Sequence, residues 1–348
     1  MAKGEKNTGW SGFFMVFTVL CAILMILAQE GMGLAVQGSG SWQVLNIYKG
    51  LTRWAVPAMF MVWGMCAMEG GKPNFRNVLT GLLLPCFAML VFWGALYAVV
   101  GHVLGGGTLS LQGVLRELMA AAKGETFFHL WILYPLLGLY LVHPVIHRFV
   151  AGAGRKEVCF FLALCFVFGS LLPVLSHFHP YNPVVSLLQR MDVSLTLGYV
   201  GFYVAGWYLH HYTIGRVTEF VVYILGGAGL VLTMLGDRFF GGGTALWQSY
   251  TAPGVALTAV AICTLFRYVV GISGERSRRR GVTELGCYVF GIYLFHQIWM
   301  LVLRWFGISV LAFAPVISIP LFTVAVFLLS APFVWLLYLI PGAGKWLT

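Results

Sequence analysis

Charge is what this sequence has least of. Asp, Glu, Lys and Arg make up only 9% of its 348 residues, against about 25% in a soluble domain. Carboxylates are the scarcest, 11 against 21 Lys and Arg. So little charge cannot keep a chain that is 60% apolar in water, and a soluble globular enzyme is excluded. The cysteines form no pattern either. Cys21, Cys66, Cys86, Cys159, Cys165, Cys263 and Cys287 lie in apolar runs, with neither zinc-ligand spacing nor a disulfide framework. They read as small buried hydrophobes. No glycine run leads into Gly-Lys-Ser/Thr, so GGG at 105–107 and at 241–243 reads as loop turns and not as phosphate cradles. There is no long polar linker, soluble domain or internal repeat.

What is there is apolar and aromatic. Phe 27, Tyr 15 and Trp 12 carry too much surface that must be buried for the chain to be disordered. Apolar runs recur near 12–29, 50–68, 77–100, 127–147, 158–176, 194–211, 218–236, 252–271, 284–304 and 309–339. Most reach the roughly 17–25 residues that cross a bilayer. The first, SGFFMVFTVLCAILMILA, is apolar on every face, where a barrel strand would alternate. The expectation is an all-α polytopic membrane protein of about ten transmembrane helices, one integral domain over 1–348. The first span lacks a small-residue cleavage site and is expected to be retained. The last is long enough to tilt, to kink at Pro332 or to begin along the interface.

Positive charge gathers in alternate breaks. Lys3, Lys6, Lys72, Arg76, Arg148, Arg155, Lys156, Arg216, Arg267, Arg276, Arg278, Arg279, Arg280 and Lys345 fall on one side. Lys49, Arg53, Arg116, Lys123, Arg190, Arg238 and Arg304 fall on the other. This two-to-one bias puts both termini in the cytoplasm. The net charge of +10 is thus a topology signal, and nucleic acid is not expected as a partner.

Ionisable groups inside apolar spans are costly and are the first functional candidates. Arg53 opens the second span near the outer face, either snorkelling to the interface or turned inward to a carboxylate, carbonyl or phosphate. His129, with Trp131 beside it, begins the fourth span on the same side. His296 lies past the midplane of the ninth, where a neutral imidazole can exchange a proton or hold a hydroxyl. Glu30, after Gln29 at the end of the first span, is the carboxylate expected at that depth. His143 and His147 share a helical face, and two histidines alone make no metal site. At the inner side, Lys72 and Arg76, then Arg276, Arg278, Arg279 and Arg280, satisfy the topology rule and also suit a polyphosphate. HFHPYN at 177–182 offers His179 and Tyr181 to a polar acceptor.

Four segments in order, RWAVPAMFMVWG at 53–64, HLWILYPLLGLYLVHPVI at 129–146, LGYVGFYVAGWYL at 197–209 and FGIYLFH at 290–296, resemble the acyltransferase-3 family of membrane proteins. They are most similar to its O-acetyltransferase branch, over almost the whole chain. The resemblance implies transfer of an acyl group from cytoplasmic acetyl-CoA, or another acyl-CoA, to a hydroxyl of an envelope glycan or lipid-linked sugar. It implies a bacterial inner membrane location and no metal. Carried across, Arg53 matches the Arg before the Val-Pro segment, His129 and Trp131 match His-Leu-Trp, and His296 closes the GIYLxH motif. Members usually carry an Arg and a His in the first helix, the His acting as base. The aligned positions here are Thr18 and Gln29, and a glutamine cannot take a proton at neutral pH.

The base is then to be sought in His296 or Glu30, with His129 beside them to orient or deprotonate the hydroxyl and Arg53 stabilising negative charge. Gln29, Trp131, His179 and Tyr181 are the candidate acceptor-binding residues. Arg76, Lys72 and the 276–280 arginines are the candidates for the donor phosphates. A transporter or lipid-handling protein is one alternative. A degenerate acyltransferase scaffold that binds or assembles without catalysis is the other.

Overall fold

The computed structural model describes residues 9–69, 74–104, 112, 115, 116, 119, 128–191, 193, 198–270, 280–342 and 344–348. Among these residues there are helices and no strand, as the unbroken apolar runs require of a backbone that must satisfy its own polar groups. Helix α1 spans Gly9–Leu34, α2 Gly40–Thr52 and α3 Ala55–Met68. Then come α4 (Phe75–Leu104), α5 (His129–Gly152) and α6 (Arg155–Phe178). The short α7 (Pro183–Arg190) precedes α8 (Val200–His211), α9 (Arg216–Phe240) and α10 (Pro253–Val270). Helices α11 (Arg280–Trp305), α12 (Pro315–Leu339) and the single turn α13 (Gly344–Leu347) complete the chain.

Eight of the described helices are long and apolar enough to cross a membrane: α1, α4, α5, α6, α9, α10, α11 and α12. The expected spans at 50–68 and 194–211 coincide instead with α3 and α8, of 14 and 12 residues. At about 1.5 Å per residue neither covers a bilayer core by itself, and both are enclosed by their neighbours. Their backbones cross in contact. A Cβ on Gly64 would lie 1.8 Å from the Tyr203 carbonyl oxygen, and one on Gly206 would lie 2.0 Å from that of Met61. Small residues permit such crossings where lipid leaves no hydrophobic drive between helices. Helices α9 and α10 meet the same way at Gly229 and Gly254.

The apolar pattern predicts a break over 30–49, yet α1 runs on to Leu34 and α2 begins at Gly40. Its pattern is too polar for a span, and it is started by the Ser39 hydroxyl, which accepts from the Trp42 amide at 3.2 Å. Two long helices carry a π turn directly before a proline: Leu79–Leu83 before Pro85 in α4, and Val167–Leu171 before Pro173 in α6. The missing proline N–H leaves a carbonyl unpaired one turn back, and the wider turn absorbs the mismatch. Of the other motifs, the glycines at 241–243 all take positive φ where α9 ends, so they are turn residues.

The bundle has two ends. At the proximal one α1 begins, α3, α5 and α8 finish, and Trp10 meets His210. At the distal one α1 finishes near Arg304 of α11, and Tyr48 of α2 donates to the Val316 carbonyl at 2.9 Å.

Candidate active site

Helices α5 and α11 bring two histidines together in the interior. His129 and His296 are both fully buried, their rings 5.2 Å apart at 74°. His129 Nε2 faces the Leu294 carbonyl at 3.3 Å, which also accepts from the Tyr97 hydroxyl at 2.6 Å. The Tyr293 hydroxyl donates to the His129 carbonyl at 3.0 Å. His296 Nδ1 contacts the Tyr293 carbonyl at 2.5 Å. A carbonyl only accepts, so Nδ1 carries the proton and Nε2 presents a lone pair. That Nε2 is buried and has no hydrogen-bond partner among the described residues. An imidazole so held is set up to receive a proton from a group placed beside it.

Arg53 lies where α2 gives way to α3, half-buried and turned inward. Its Nε donates to the Gln248 carbonyl. Its guanidinium carbon sits 3.7 Å over the Tyr250 ring, and Nη1 reaches the Met25 sulfur at 3.7 Å. Of the inward partners expected from sequence, a carbonyl is the one found. No carboxylate pairs with Arg53 among the described residues. Trp131 stacks on Tyr250 at 4.9 Å, so Arg53, Tyr250 and Trp131 form a column ending two residues from His129. Burial holds the Tyr250 phenol above its ordinary value, and the Arg53 cation opposes this.

Glu30 does not join Arg53 and His129. It pairs with Arg304 of α11 and accepts from Gln297 Nε2 at 3.3 Å. Gln29, beside it, is exposed, while Thr18, three turns earlier, is fully buried with its hydroxyl unpartnered among the described residues. His179 and Tyr181 are exposed at the α6–α7 turn, Tyr181 at 94%, and are not gathered with the histidines. Asn182 of the same motif caps α7, accepting from the Val184 amide at 2.9 Å. His143 Nδ1 shares a 3.0 Å hydrogen bond with the Tyr203 hydroxyl, an interhelical contact. No cluster of three metal-ligating side chains occurs among the described residues.

The proximal end holds a cleft of about 440 Å³ lined by Met68, Glu69, His147, Val150, Ala151, Trp207, His210 and His211. Glu69 pairs with His210. Arg267 Nη1 donates to the Tyr212 carbonyl at 2.7 Å, and Arg155 Nε donates to the Tyr208 hydroxyl at 3.1 Å. Arg76 is exposed in the first turn of α4, seven residues on from Glu69. Lys72, Arg276, Arg278 and Arg279 lie outside the described residues, and Arg280 opens α11.

Sequence reasoning missed Tyr97, Gln248, Tyr250, Gln297 and the cleft histidines His210 and His211. Gln297 adjoins His296 and could have been flagged by position. Gln248 and Tyr250 sit in a turn with no apolar period, and nothing local signals that they meet Arg53.

Residues 12–339 match the profile of a protein family described as an acyltransferase domain. No curated protein and no solved structure matches the chain.

Proposed function

This chain belongs to that acyltransferase family, acyltransferase-3, and is thereby a multi-pass membrane acyltransferase in class; from that premise we propose that it moves an acyl group from cytoplasmic acyl-CoA to a hydroxyl of an envelope glycan or lipid-linked sugar. The carrying observation is His296, whose Nδ1 is engaged by the Tyr293 carbonyl and whose Nε2 is buried and open. On the alignment that sets Gln29 at the family's first-helix base position, the base is sought elsewhere, and His296 offers a buried imidazole nitrogen without a hydrogen-bond partner among the described residues.

The reaction is a direct transfer. The acceptor oxygen attacks the thioester carbon, its proton passes to His296 Nε2, and the carbon–sulfur bond breaks to release the CoA thiolate, which is then protonated. His129, held by Leu294, packs edge to face on the His296 ring and positions it. Arg53 supplies positive charge for the oxygen that becomes negative as the tetrahedral centre forms. The acyl-CoA enters at the proximal end, the cytoplasmic one on the charge bias. There the cleft between α3, α5 and α8 receives it, and Arg76 and, on the charge pattern of the sequence, the arginines at 276–280 are the candidates for its phosphates. Acetyl is the preferred acyl group, and the acceptor comes from the distal side in a bacterial inner membrane. No cysteine nucleophile is needed.

The test is binding of acetyl-CoA, CoA and ATP to the purified full chain in detergent, with Arg76→Ala alongside, followed by thioester consumption. Saturable binding that favours the CoA forms and weakens in Arg76→Ala supports the donor assignment. A folded sample that binds none of them at low or moderate salt overturns it.

A further inference from the structure

Helix α2 turns a polar face toward the segment between α9 and α10. At about 100° per residue, Asn46, Lys49, Gly50 and Arg53 share that face. Three of them touch Gln248. Its Nε2 donates to Asn46 Oδ1 at 3.1 Å, a Cβ on Gly50 would lie 3.4 Å from that same nitrogen, and Arg53 Nε donates to its carbonyl. Lys49 stands on the same face, half-buried and one turn from Arg53.

Two cations one helical turn apart repel unless something negative lies near. Every carboxylate whose side chain is described is committed elsewhere. Glu30 holds Arg304, Glu69 holds His210, and Glu219 holds Arg216 and Tyr223. Glu157 accepts from the Gly154 amide, and Asp237 accepts from that of Gly243. Lys49 has no ion pair or hydrogen bond among the described residues. Arg53 spends its donors on one carbonyl and a thioether, a weak acceptor. A donor is missing from the same place. Gln248 is 2% exposed and its Oε1 has no partner among the described residues, although buried amide oxygens are nearly always hydrogen-bonded.

A negative charge and a hydroxyl would complete this corner together. We infer that Lys49, Arg53 and Gln248 form an acceptor subsite for an anionic, polyhydroxylated molecule, a sugar unit bearing a carboxylate or a phosphate. Lys49 holds the anion, Gln248 Oε1 accepts from a neighbouring hydroxyl, and the Arg53 cation strengthens the field that draws the ligand in. The Tyr250–Trp131 stack fixes this corner relative to the helical turn that carries His129. This narrows the acceptor class within the acyl-transfer reading and rests on it.

The test titrates the full chain in detergent with galacturonic acid oligomers and with glucose 6-phosphate. Their uncharged counterparts, the methyl-esterified oligomers and glucose, keep the hydroxyls. Wild type, Lys49→Gln and Lys49→Arg are compared at low and moderate salt, with phosphatidylglycerol as competitor. The anionic member of either pair should bind about tenfold tighter, a preference that shrinks with salt as exposed charge is screened. Lys49→Gln should abolish the preference and Lys49→Arg should keep it. Equal binding of charged and uncharged ligands by wild type overturns the subsite and leaves acyl transfer standing. So does a Lys49→Gln effect confined to phosphatidylglycerol, which would mean that the cation reads lipid headgroups. If acetyl-CoA is never consumed while charge-selective binding persists, the acyl-transfer reading fails and the anion subsite remains.

Discussion

The His129 and His296 rings lie 5.2 Å apart at 74° in the bundle interior, and each is held to a carbonyl of the same stretch of α11, Leu294 for one and Tyr293 for the other. The two imidazoles therefore move with one segment of helix. Packed edge to face, His129 limits how the His296 ring can turn, so the free His296 nitrogen keeps one direction.

His296→Ala should lower acyl transfer by about 10²–10⁴-fold, the usual contribution of a general base, while protein abundance in the membrane changes little. His296→Gln separates volume from basicity, since it fills the site and cannot take a proton. Turnover by the purified variants checks this, and a Gln variant as active as wild type would remove His296 from its role.

Arg53→Lys should cost at least about tenfold in turnover, because an ammonium cannot both donate to the Gln248 carbonyl and lie flat on Tyr250. Steady-state rates at saturating acyl-CoA read the effect. Equal rates would mean that only the charge at this position matters.

Glu30→Gln should reduce turnover by much less than His296→Ala, less than about tenfold, because its carboxylate is already engaged by Arg304 and Gln297. A loss matching that of His296→Ala would make Glu30 the base. The two variants assayed side by side decide between the two candidates named from sequence.

Gly206→Ala should damage folding rather than chemistry. The added methyl would stand 2.0 Å from the Met61 carbonyl oxygen, forcing α3 and α8 apart at a cost of about 1–3 kcal/mol or more. A lower midpoint of thermal aggregation in detergent is expected, with the Gly64→Ala variant behaving alike. A wild-type midpoint would show that the crossing relaxes without strain.

Anion binding at Lys49 should fall at high pH. Burial, reinforced by the neighbouring Arg53 cation, lowers the Lys49 ammonium from its ordinary value. The charge is present below that lowered value and lost above it, so affinity for the acidic oligomer should decline before the region near about 10.4 where a free lysine titrates. A titration series from about pH 7 to about pH 10 checks it, and Lys49→Arg should make the profile flat.

What the sequence determined by itself is the solvent and the material. Unbroken apolar runs with few charges admit a helical membrane bundle and little else, because a backbone in lipid must satisfy its own hydrogen bonds. The order of RWAVP, HLW and GIYLFH also placed Arg53, His129 and His296 as the polar groups to watch. Local pattern could not see α2, whose polar face makes sense only against Gln248, nor that α3 and α8 are short inner helices crossing at Gly64 and Gly206. It could not choose the partner of Glu30, because Arg304 approaches from the far end of the chain. It set Gln29 beside the site by alignment and Tyr181 by residue type, whereas the end of α1 leaves the one exposed and the α6–α7 turn the other. Which polar groups meet is decided by helix packing, since a side chain's neighbours across a bundle depend on crossing geometry that no short stretch of sequence encodes.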